Sequence, residues 1–278
     1  MKAKINGTHI GYDDIGRGPA IVLIHAFPLD RSIWDFQAGP LVQAGFRVVT
    51  IDLRGFGESE LGQARPAMET YADDVIGLLN YLGIGRAVIC GLSMGGYVLF
   101  NLLERYPQRL AGACFVATRA VIDDIQERYV RDQLGRDFQR GDRQRLASAY
   151  LDVMFSSRGK RRQAVEARLL RKKIEDTDPE ALMSALEALR ARKDYTSLLP
   201  RIEVPTLIVG AEHDLAIHPR HVDLMASGLQ RCVKSIIRDA GHLVNMEKPG
   251  DFNVLLIGFL NGFIPDRLRR ASCLQEVA

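Results

Sequence analysis

The sequence predicts an α/β fold in which a doubly wound, mostly parallel sheet of eight strands carries an inserted helical cap. Short apolar runs typical of strands alternate with segments of helical periodicity over most of the 278 residues. One such run enters a helical segment through a sharp turn at residues 91–95, whereas residues 119–201 contain no strand-like run. We therefore expect residues 1–118 and 202–270 to form the core. Residues 119–201 are expected to form the cap, and residues 271–278 a flexible tail.

The N-terminal segment predicts a β-hairpin. Residues 2–14 alternate apolar and polar side chains around Asn6-Gly7, and an Asn-Gly pair favours the tight turn between two antiparallel strands. Continuous apolar runs predict strands buried on both faces of a parallel sheet at residues 20–24 and 46–51. The further elements expected are strands at residues 87–90, 111–117, 206–209 and 233–237, and helices at residues 40–44, 68–82, 94–105, 219–228 and 251–263.

Ser93 lies in the pattern Gly91-Leu92-Ser93-Met94-Gly95, directly between a predicted strand and a predicted helix. In that context a G-x-S-x-G pattern is typical of a nucleophile elbow, a strained turn that holds the serine hydroxyl above the carboxyl end of a sheet. Side chains at Gly91 and Gly95 would crowd such a turn. A glycine-rich turn with an incidental serine is the alternative, and the partners of the serine decide between the two.

A serine hydroxyl needs a base to take its proton and a third group to orient that base. After a nucleophile elbow, the acid and then the histidine follow along the chain, at the carboxyl ends of later strands. Asp214 and His242 follow the seventh and eighth predicted strands in this order. We therefore predict Ser93 as nucleophile, His242 as general base and Asp214 as the orienting acid. Glu212 and Asp239 are alternative acids on the same two loops.

Acyl transfer also needs hydrogen-bond donors directed at the oxyanion that develops on the substrate. The backbone N–H of Met94 is the first predicted donor, because it lies at the start of a helix whose dipole favours negative charge. The N–H of Phe27, in the loop after the strand at residues 20–24, is the second. Trp34 is predicted to shape an apolar substrate pocket with Phe27 and Met94, although packing in the core would explain this tryptophan equally well.

The predicted cap is more basic than the remainder of the chain. Residues 119–201 contain 19 basic and 14 acidic side chains, whereas the remainder contains 18 basic and 20 acidic ones. A basic patch for anionic ligands is one interpretation, and the solvated faces of amphipathic helices are the other. His213, His218 and His221 lie near Asp214, but their spacing matches no recognised zinc-binding pattern, so no metal site is predicted.

Composition argues against several functional classes. The formal net charge is only +3, which gives no reason to expect nucleic acid or a membrane surface as partner. The four cysteines show neither CxxC spacing nor the density of a disulfide framework. Because no apolar run has transmembrane length and the first residues show no signal-peptide core, the expected location is the cytoplasm. The sequence makes no prediction of oligomeric state.

With these residues placed, the chain resembles the α/β-hydrolase superfamily over residues 5–263. Within it, the chain is similar to small bacterial carboxylesterases grouped with arylesterases, haloperoxidase-like perhydrolases and 3-oxoadipate enol-lactonases. The segments that carry this resemblance are His25-Ala26-Phe27-Pro28, Asp52-Leu53-Arg54-Gly55-Phe56-Gly57-Glu58-Ser59, Gly91-Leu92-Ser93-Met94-Gly95-Gly96, Gly210-Ala211-Glu212-His213-Asp214 and Gly241-His242. The resemblance implies a Ser-His-Asp triad, no metal or organic cofactor, and a helical cap between the sixth and seventh strands.

Two positions qualify the resemblance. Ala26 stands where the family pattern usually has glycine, so its methyl group could narrow the oxyanion loop. Ser93 separates the chain from the dehalogenase and epoxide-hydrolase branches, which use an aspartate nucleophile.

The predicted activity is that of a serine hydrolase that cleaves small carboxylic esters through an acyl-enzyme. A lactonase or a perhydrolase with the same triad is the nearest alternative, and a lyase acting on cyanohydrins uses similar residues. A non-catalytic, receptor-like binding protein of the same fold is the alternative from a different class. The expected partner is a small-molecule ester or lactone.

Overall fold

A sheet of eight strands forms the centre of the molecule in the computed structural model, which describes residues 1–141 and 143–263. The strands are β1 (Lys2–Ile5), β2 (Thr8–Ile15), β3 (Ala20–Ile24), β4 (Arg47–Ile51), β5 (Ala87–Leu92), β6 (Leu110–Val116), β7 (Thr206–Ala211) and β8 (Cys232–Ile237). Their order in the sheet is β1-β2-β4-β3-β5-β6-β7-β8. β1 pairs with β2 and β2 with β4 in antiparallel fashion, and all other neighbours are parallel. The predicted doubly wound, mostly parallel fold is confirmed.

Helices connect the strands and cover the sheet. They are α1 (Asp35–Gln43), α2 (Met68–Tyr81), α3 (Met94–Arg105), α4 (Ile125–Arg140), α5 (Arg143–Met154), α6 (Ser157–Arg162), α7 (Ala164–Asp176), α8 (Pro179–Ala191), α9 (Arg220–Gly228), α10 (Val244–Glu247) and α11 (Pro249–Phe263). Helices α4–α8 lie between β6 and β7, and we call them the helical insertion. None of the helices within the described ranges is long and apolar enough to cross a membrane.

The predicted boundaries differ from the structure mainly before β4. The helix expected at residues 40–44 begins at Asp35, after a 3-10 turn (Arg31–Trp34). The side chain of Asp30 caps this turn by accepting a hydrogen bond from the N–H of Ser32 at 3.0 Å. Pro40 lies inside α1 and interrupts the sequence pattern that would have marked the helix. The tail expected at residues 271–278 lies outside the described residues. The division of the chain into a core and a cap at residues 119–201 stays a prediction.

The middle strands are buried because helices cover both faces of the sheet. Every residue of β5 and of β7 is buried, as continuous apolar runs in a parallel sheet require. α2 packs against α3, and α1 packs against α11. Among the strands that the structure describes, β8 pairs only with β7, and it exposes half of its residues, as an edge strand does. The carboxyl ends of β3, β5, β6, β7 and β8 therefore meet along one edge, where the helical insertion also begins and ends.

A buried ion pair anchors the loop after β4 to α2. Arg54 donates from Nε and Nη2 to the two carboxylate oxygens of Asp74 at 2.7 and 2.8 Å. Both side chains are at most 1% exposed. Asn6, in the hairpin turn, donates to the same carboxylate at 3.0 Å. A pair removed from water in this way stabilises the fold only while both partners are present, because a single buried charge is strongly unfavourable.

We expect Asp74→Ala to lower the free energy of unfolding by about 3–5 kcal/mol, because Arg54 would remain buried without its carboxylate. Urea denaturation measures this loss. The matched control is Glu187→Ala, which removes the carboxylate from an exposed pair with Arg65 and should cost less than about 1 kcal/mol. Similar small losses in both variants would contradict the role of the buried pair.

Candidate active site

Ser93 lies on a strained turn between β5 and α3. Its backbone dihedrals, φ 53° and ψ −109°, belong to a region that residues with side chains rarely adopt. Two glycines make the turn possible because their neighbours are too close for a side chain. A Cβ atom on Gly91 would lie 2.2 Å from the carbonyl oxygen of Gly95, and one on Gly95 would lie 2.4 Å from that of Ile24. The G-x-S-x-G pattern is thus a packing requirement of this turn.

The loops after β7 and β8 bring Asp214 and His242 into contact. Nδ1 of His242 lies 2.9 and 3.0 Å from the two carboxylate oxygens of Asp214, and both side chains are only 1% exposed. The same carboxylate accepts from the N–H groups of Ala216 and Ile217 at 2.8 Å each. Because an ionised carboxylate only accepts hydrogen bonds, the proton resides on Nδ1 and the other ring nitrogen, Nε2, is left as the basic atom.

Ser93 and His242 line one cavity of about 580 Å³ between the strand ends and helices α4 and α5. Ser93 is half-buried, and Nε2 of His242 is buried without a hydrogen-bond partner among the described residues. Catalytic hydrogen bonds are often long or unformed until a substrate is bound, so this arrangement is compatible with a serine–histidine pair. Most other cavity walls are apolar; they include Phe27, Met94, Leu134, Leu146, Val153 and Met154.

A second cavity, of about 750 Å³, lies apart from these residues. Side chains of the loops after β3 and β4 line it together with residues of α7, and carboxylates predominate. Ser93, Asp214 and His242 do not line it.

The predicted oxyanion donors lie at the cavity, and hydrogen bonds hold the loop that carries one of them. Within the described ranges, neither the N–H of Phe27 nor that of Met94 donates to a protein acceptor. The carbonyl oxygen of Ala26 lies 2.9 Å from Nδ1 of His25. It also accepts from the N–H of Leu29 at 2.9 Å. Because that carbonyl and the N–H of Phe27 share one peptide plane, holding the carbonyl also orients the N–H.

His25 can hold the loop of Phe27 through both ring nitrogens because it stays neutral. Burial lowers the pKa of His25 below its ordinary value, which leaves Nε2 free to accept from the N–H of Leu53 at 2.9 Å. Nδ1 then carries the proton and donates to Ala26. Ala26 itself has no positive φ, so its methyl group does not conflict with the backbone where the family pattern has glycine.

The helical insertion contacts the same loop through Tyr150 of α5. Its hydroxyl donates to the carbonyl oxygen of Phe27, and the two rings pack edge to face with centroids 6.1 Å apart. Burial raises the pKa of Tyr150 above its usual range, so the hydroxyl stays protonated and can donate. Lys173 of α7 forms an ion pair with Asp30, at the end of the same loop. Sequence reasoning missed both contacts, since they join segments more than a hundred residues apart.

Glu247 is a further residue that the sequence did not reveal. Its carboxylate accepts from the N–H of Gly241 at 2.9 Å and from the N–H of Ser156 at 3.0 Å. It also accepts from the hydroxyl of Ser156 at 2.5 Å, so it ties the loop before His242 to the insertion. Glu247 is buried at the end of a short helix whose residues are all buried, and a charged residue next to apolar ones was the only signal available in the sequence.

Other residues considered from the sequence lie away from the cavity. Trp34 does not line this cavity. It is fully buried against Phe252, so it packs in the core. The side chains of Glu212 and Asp239, the alternative acids, are exposed, and the N–H of Asp239 donates to Glu212 at 3.0 Å. His213 completes an exposed cluster with these two carboxylates.

Comparison with known proteins was made by sequence and by structure. The sequence model of one family, described as alpha/beta hydrolase fold, matches residues 19–249. A thermophilic esterase from Thermogutta terrifontis, solved with malate bound, superposes with a TM-score of 0.88 at 32% identity, covering 94% of this chain and 98% of the esterase. The enol-lactonase from Burkholderia xenovorans LB400 superposes with a TM-score of 0.87 at 31% identity, covering 94% of this chain and all of the lactonase.

Curated relatives are similar at lower identity. A putative non-heme chloroperoxidase from Synechocystis is 28% identical over 90% of this chain and 94% of its own length. Bifunctional epoxide hydrolase 2 from Sus scrofa is 26% identical over 91% of this chain, but the chain spans only about half (53%) of that protein.

His221 of α9, seven residues after Asp214, is a buried histidine whose pKa can be tested. It is buried, and its Nδ1 has no hydrogen-bond partner in the described part of the chain. Burial, reinforced by the positive charges of Arg119 and Arg220, lowers the pKa of His221 from 6.5 to about 4. As the pH falls below 6.5, the imidazole of His221 therefore binds a proton in the unfolded state. In the folded state it binds that proton only near pH 4.

We expect the wild type to lose stability relative to His221→Gln as the pH falls from about 6.5 to about 4, because glutamine stays neutral throughout. Urea denaturation of both proteins across this range measures the difference, and other titrating groups cancel in the comparison. Parallel stability profiles would contradict the lowered pKa.

Proposed function

The chain belongs to the alpha/beta hydrolase fold family, and we propose that it is a serine hydrolase that cleaves small carboxylic esters through an acyl-enzyme. Ser93 is the nucleophile, His242 the general base and Asp214 the acid that orients it. The observation that carries this proposal is the buried His242–Asp214 contact, with the basic nitrogen of His242 on the same cavity as a serine held in a strained turn.

The reaction begins when Ser93 Oγ attacks the ester carbonyl and passes its proton to Nε2 of His242. Asp214 stabilises the imidazolium that forms, through the hydrogen bond to Nδ1. The oxyanion accepts from the N–H groups of Phe27 and Met94, which have no other described acceptor. His242 then protonates the departing alcohol, and water, activated by the same nitrogen, hydrolyses the acyl-enzyme.

Hydrolysis of a lactone is the second candidate, since the same triad opens a cyclic ester and the alcohol simply stays attached to the acyl group. It is favoured by the similarity to an enol-lactonase along that protein's whole length. Perhydrolysis, in which peroxide replaces water, is a possible side reaction of the same acyl-enzyme. Comparing turnover of lactones with that of open-chain esters distinguishes the first two.

We expect Ser93→Ala and His242→Ala to lower kcat on 4-nitrophenyl esters by about 10⁴- to 10⁶-fold, because each removes a group that acts in the transition state. Asp214→Asn should cost about 10⁴-fold, since asparagine favours the wrong tautomer of His242. Release of 4-nitrophenol from acetate through octanoate esters measures these effects and also gives the preferred acyl length.

The control for the triad variants is Ser227→Ala, because Ser227 is exposed on α9 and distant in sequence from the elbow. Circular dichroism establishes that each variant is folded. A folded wild type that cleaves no ester and no lactone, or a Ser93→Ala variant with full activity, would refute the proposed mechanism.

We expect Tyr150→Phe to lower kcat by about 3- to 10-fold with little change in KM, because the loop that carries the Phe27 donor loses one hydrogen bond. Steady-state kinetics on the preferred ester separates the two parameters. Tyr129→Phe is the matched control, since Tyr129 is exposed on α4. A change in KM alone would instead make Tyr150 a substrate contact.

A further inference from the structure

A cluster of buried charges lies between the end of β6 and the start of α4. Its centre is Asp123, whose Oδ1 accepts from Nη2 of Arg119 at 2.5 Å and from Nη2 of Arg192 at 2.6 Å. Its Oδ2 accepts from Nε of Arg131 at 2.8 Å. Burial alone would raise the pKa of Asp123, but hydrogen bonds from Arg192 and Arg131 hold it well below its ordinary range. Asp123 is therefore ionised at every working pH.

Positive charge exceeds negative charge in this cluster. The second carboxylate is Glu127, which accepts from Nη1 of Arg119. Three guanidinium groups thus share two carboxylates, and each of the three side chains is at most 20% exposed. Nε of Arg119 is buried with no acceptor among the described residues. Excess charge removed from water is unfavourable unless a counter-ion reaches it, so the cluster suits an anionic ligand.

Arg131 presents this excess charge to the candidate active site. Arg131 and Arg119 line the same cavity as Ser93 and His242, whereas Arg192 does not. Nε and Nη2 of Arg131 donate to Asp123, and its Nη1 donates to no acceptor within residues 1–141 and 143–263. The Nη1 amino group of Arg131, a side chain that lines the cavity, is therefore left without a described protein acceptor.

The other carboxylates at the cavity are already paired. Glu127 accepts from Arg119, Asp137 lies 3.4 Å from Arg140, and the Asp214 carboxylate next to the cavity is held by His242. The remaining walls near α4 and α5 are largely apolar. A ligand in this cavity thus meets the guanidinium groups of Arg131 and Arg119, carboxylates that already have basic partners, and walls that are mostly apolar.

We propose that the physiological substrate carries a carboxylate, which binds Nη1 of Arg131 while the ester or lactone group reaches Ser93. This inference rests on the proposed hydrolysis and specifies the class of substrate for the same site. The carboxylate accepts a charge-assisted hydrogen bond, and the methylene groups between it and the scissile bond pack on the apolar walls. No covalent bond forms at Arg131, which acts only in binding the substrate.

The test uses pairs of substrates that differ only in charge. Mono(4-nitrophenyl) glutarate and its methyl ester place the carboxylate, or its neutral form, on the acyl side. 4-Acetoxybenzoate and its methyl ester place it on the alcohol side. We expect kcat/KM of the wild type to be about 10-fold or more higher for the anionic member of at least one pair, mainly through KM, and the preference to weaken with added salt.

Arg131→Gln should lower kcat/KM for the preferred anionic substrate by about 10- to 100-fold and leave its neutral partner within about 3-fold. Arg131→Lys should keep part of the preference, since it retains the charge. Asp123 keeps Arg119 and Arg192 in both variants, and thermal denaturation checks that they fold. Arg136→Gln is the matched control, because Arg136 lies on the same helix but is exposed and does not line the cavity.

A second readout needs no turnover. The rise in melting temperature on adding glutarate is measured for the Ser93→Ala variant and for the Ser93→Ala, Arg131→Gln double variant. Equal turnover of both members of both pairs would overturn the inference and leave the hydrolase proposal intact. If neither an ester nor a lactone is cleaved, the hydrolase proposal fails by itself. Stabilisation by glutarate that depends on Arg131 would then still support the anion site, and its absence would overturn it.

Discussion

The close approach of α3 to the end of β3 is the constraint on which the candidate site depends. Gly95, in the first turn of α3, leaves no room for a Cβ atom against the carbonyl oxygen of Ile24. This contact places the start of α3, with the N–H of Met94, beside the loop that continues from β3 to Phe27. The strain at Ser93 is the cost of that geometry, and the packing of β3, β5 and α3 in the sheet sustains it.

The loop that carries Phe27 is held from two directions. From the core, the neutral imidazole of His25 joins the N–H of Leu53 to the carbonyl of Ala26. From the insertion, Tyr150 donates to the carbonyl of Phe27. A donor group stabilises a developing charge best when its orientation needs no adjustment during the reaction. The helical insertion therefore does more than cover the cavity, because it takes part in holding the loop.

Charge is distributed unevenly around the cavity. Several basic residues of the insertion form ion pairs at the surface with its own acidic residues, such as Lys172 with Asp176 and Arg171 with Glu175, and these pairs leave the excess of basic residues unchanged. Such surface pairs contribute little to stability. The buried group around Asp123 is different, because its charges are removed from water and the positive charge is not fully matched. Its position beside Ser93 and His242 connects the composition of the insertion with the chemistry of the site.

Local pattern was sufficient for the β5–α3 turn and for the loops of Asp214 and His242. In a parallel sheet the carboxyl ends of successive strands meet at one edge, so the order of strands along the chain already brings these loops together. Helical periodicity likewise identified residues 119–201 as helical, because the spacing of apolar residues records which face is buried.

The contacts across the insertion were decided by tertiary structure alone. Periodicity shows that one face of α5 is buried but not that Tyr150 meets Phe27, 123 residues away. In the same way it does not show that Glu247 binds Ser156, or that Asp123 joins Arg119 to Arg192. Trp34 illustrates the same limit, since a buried aromatic side chain suits a core and a pocket equally well. Local sequence determines which residues leave water, whereas the packing of whole elements determines what they meet.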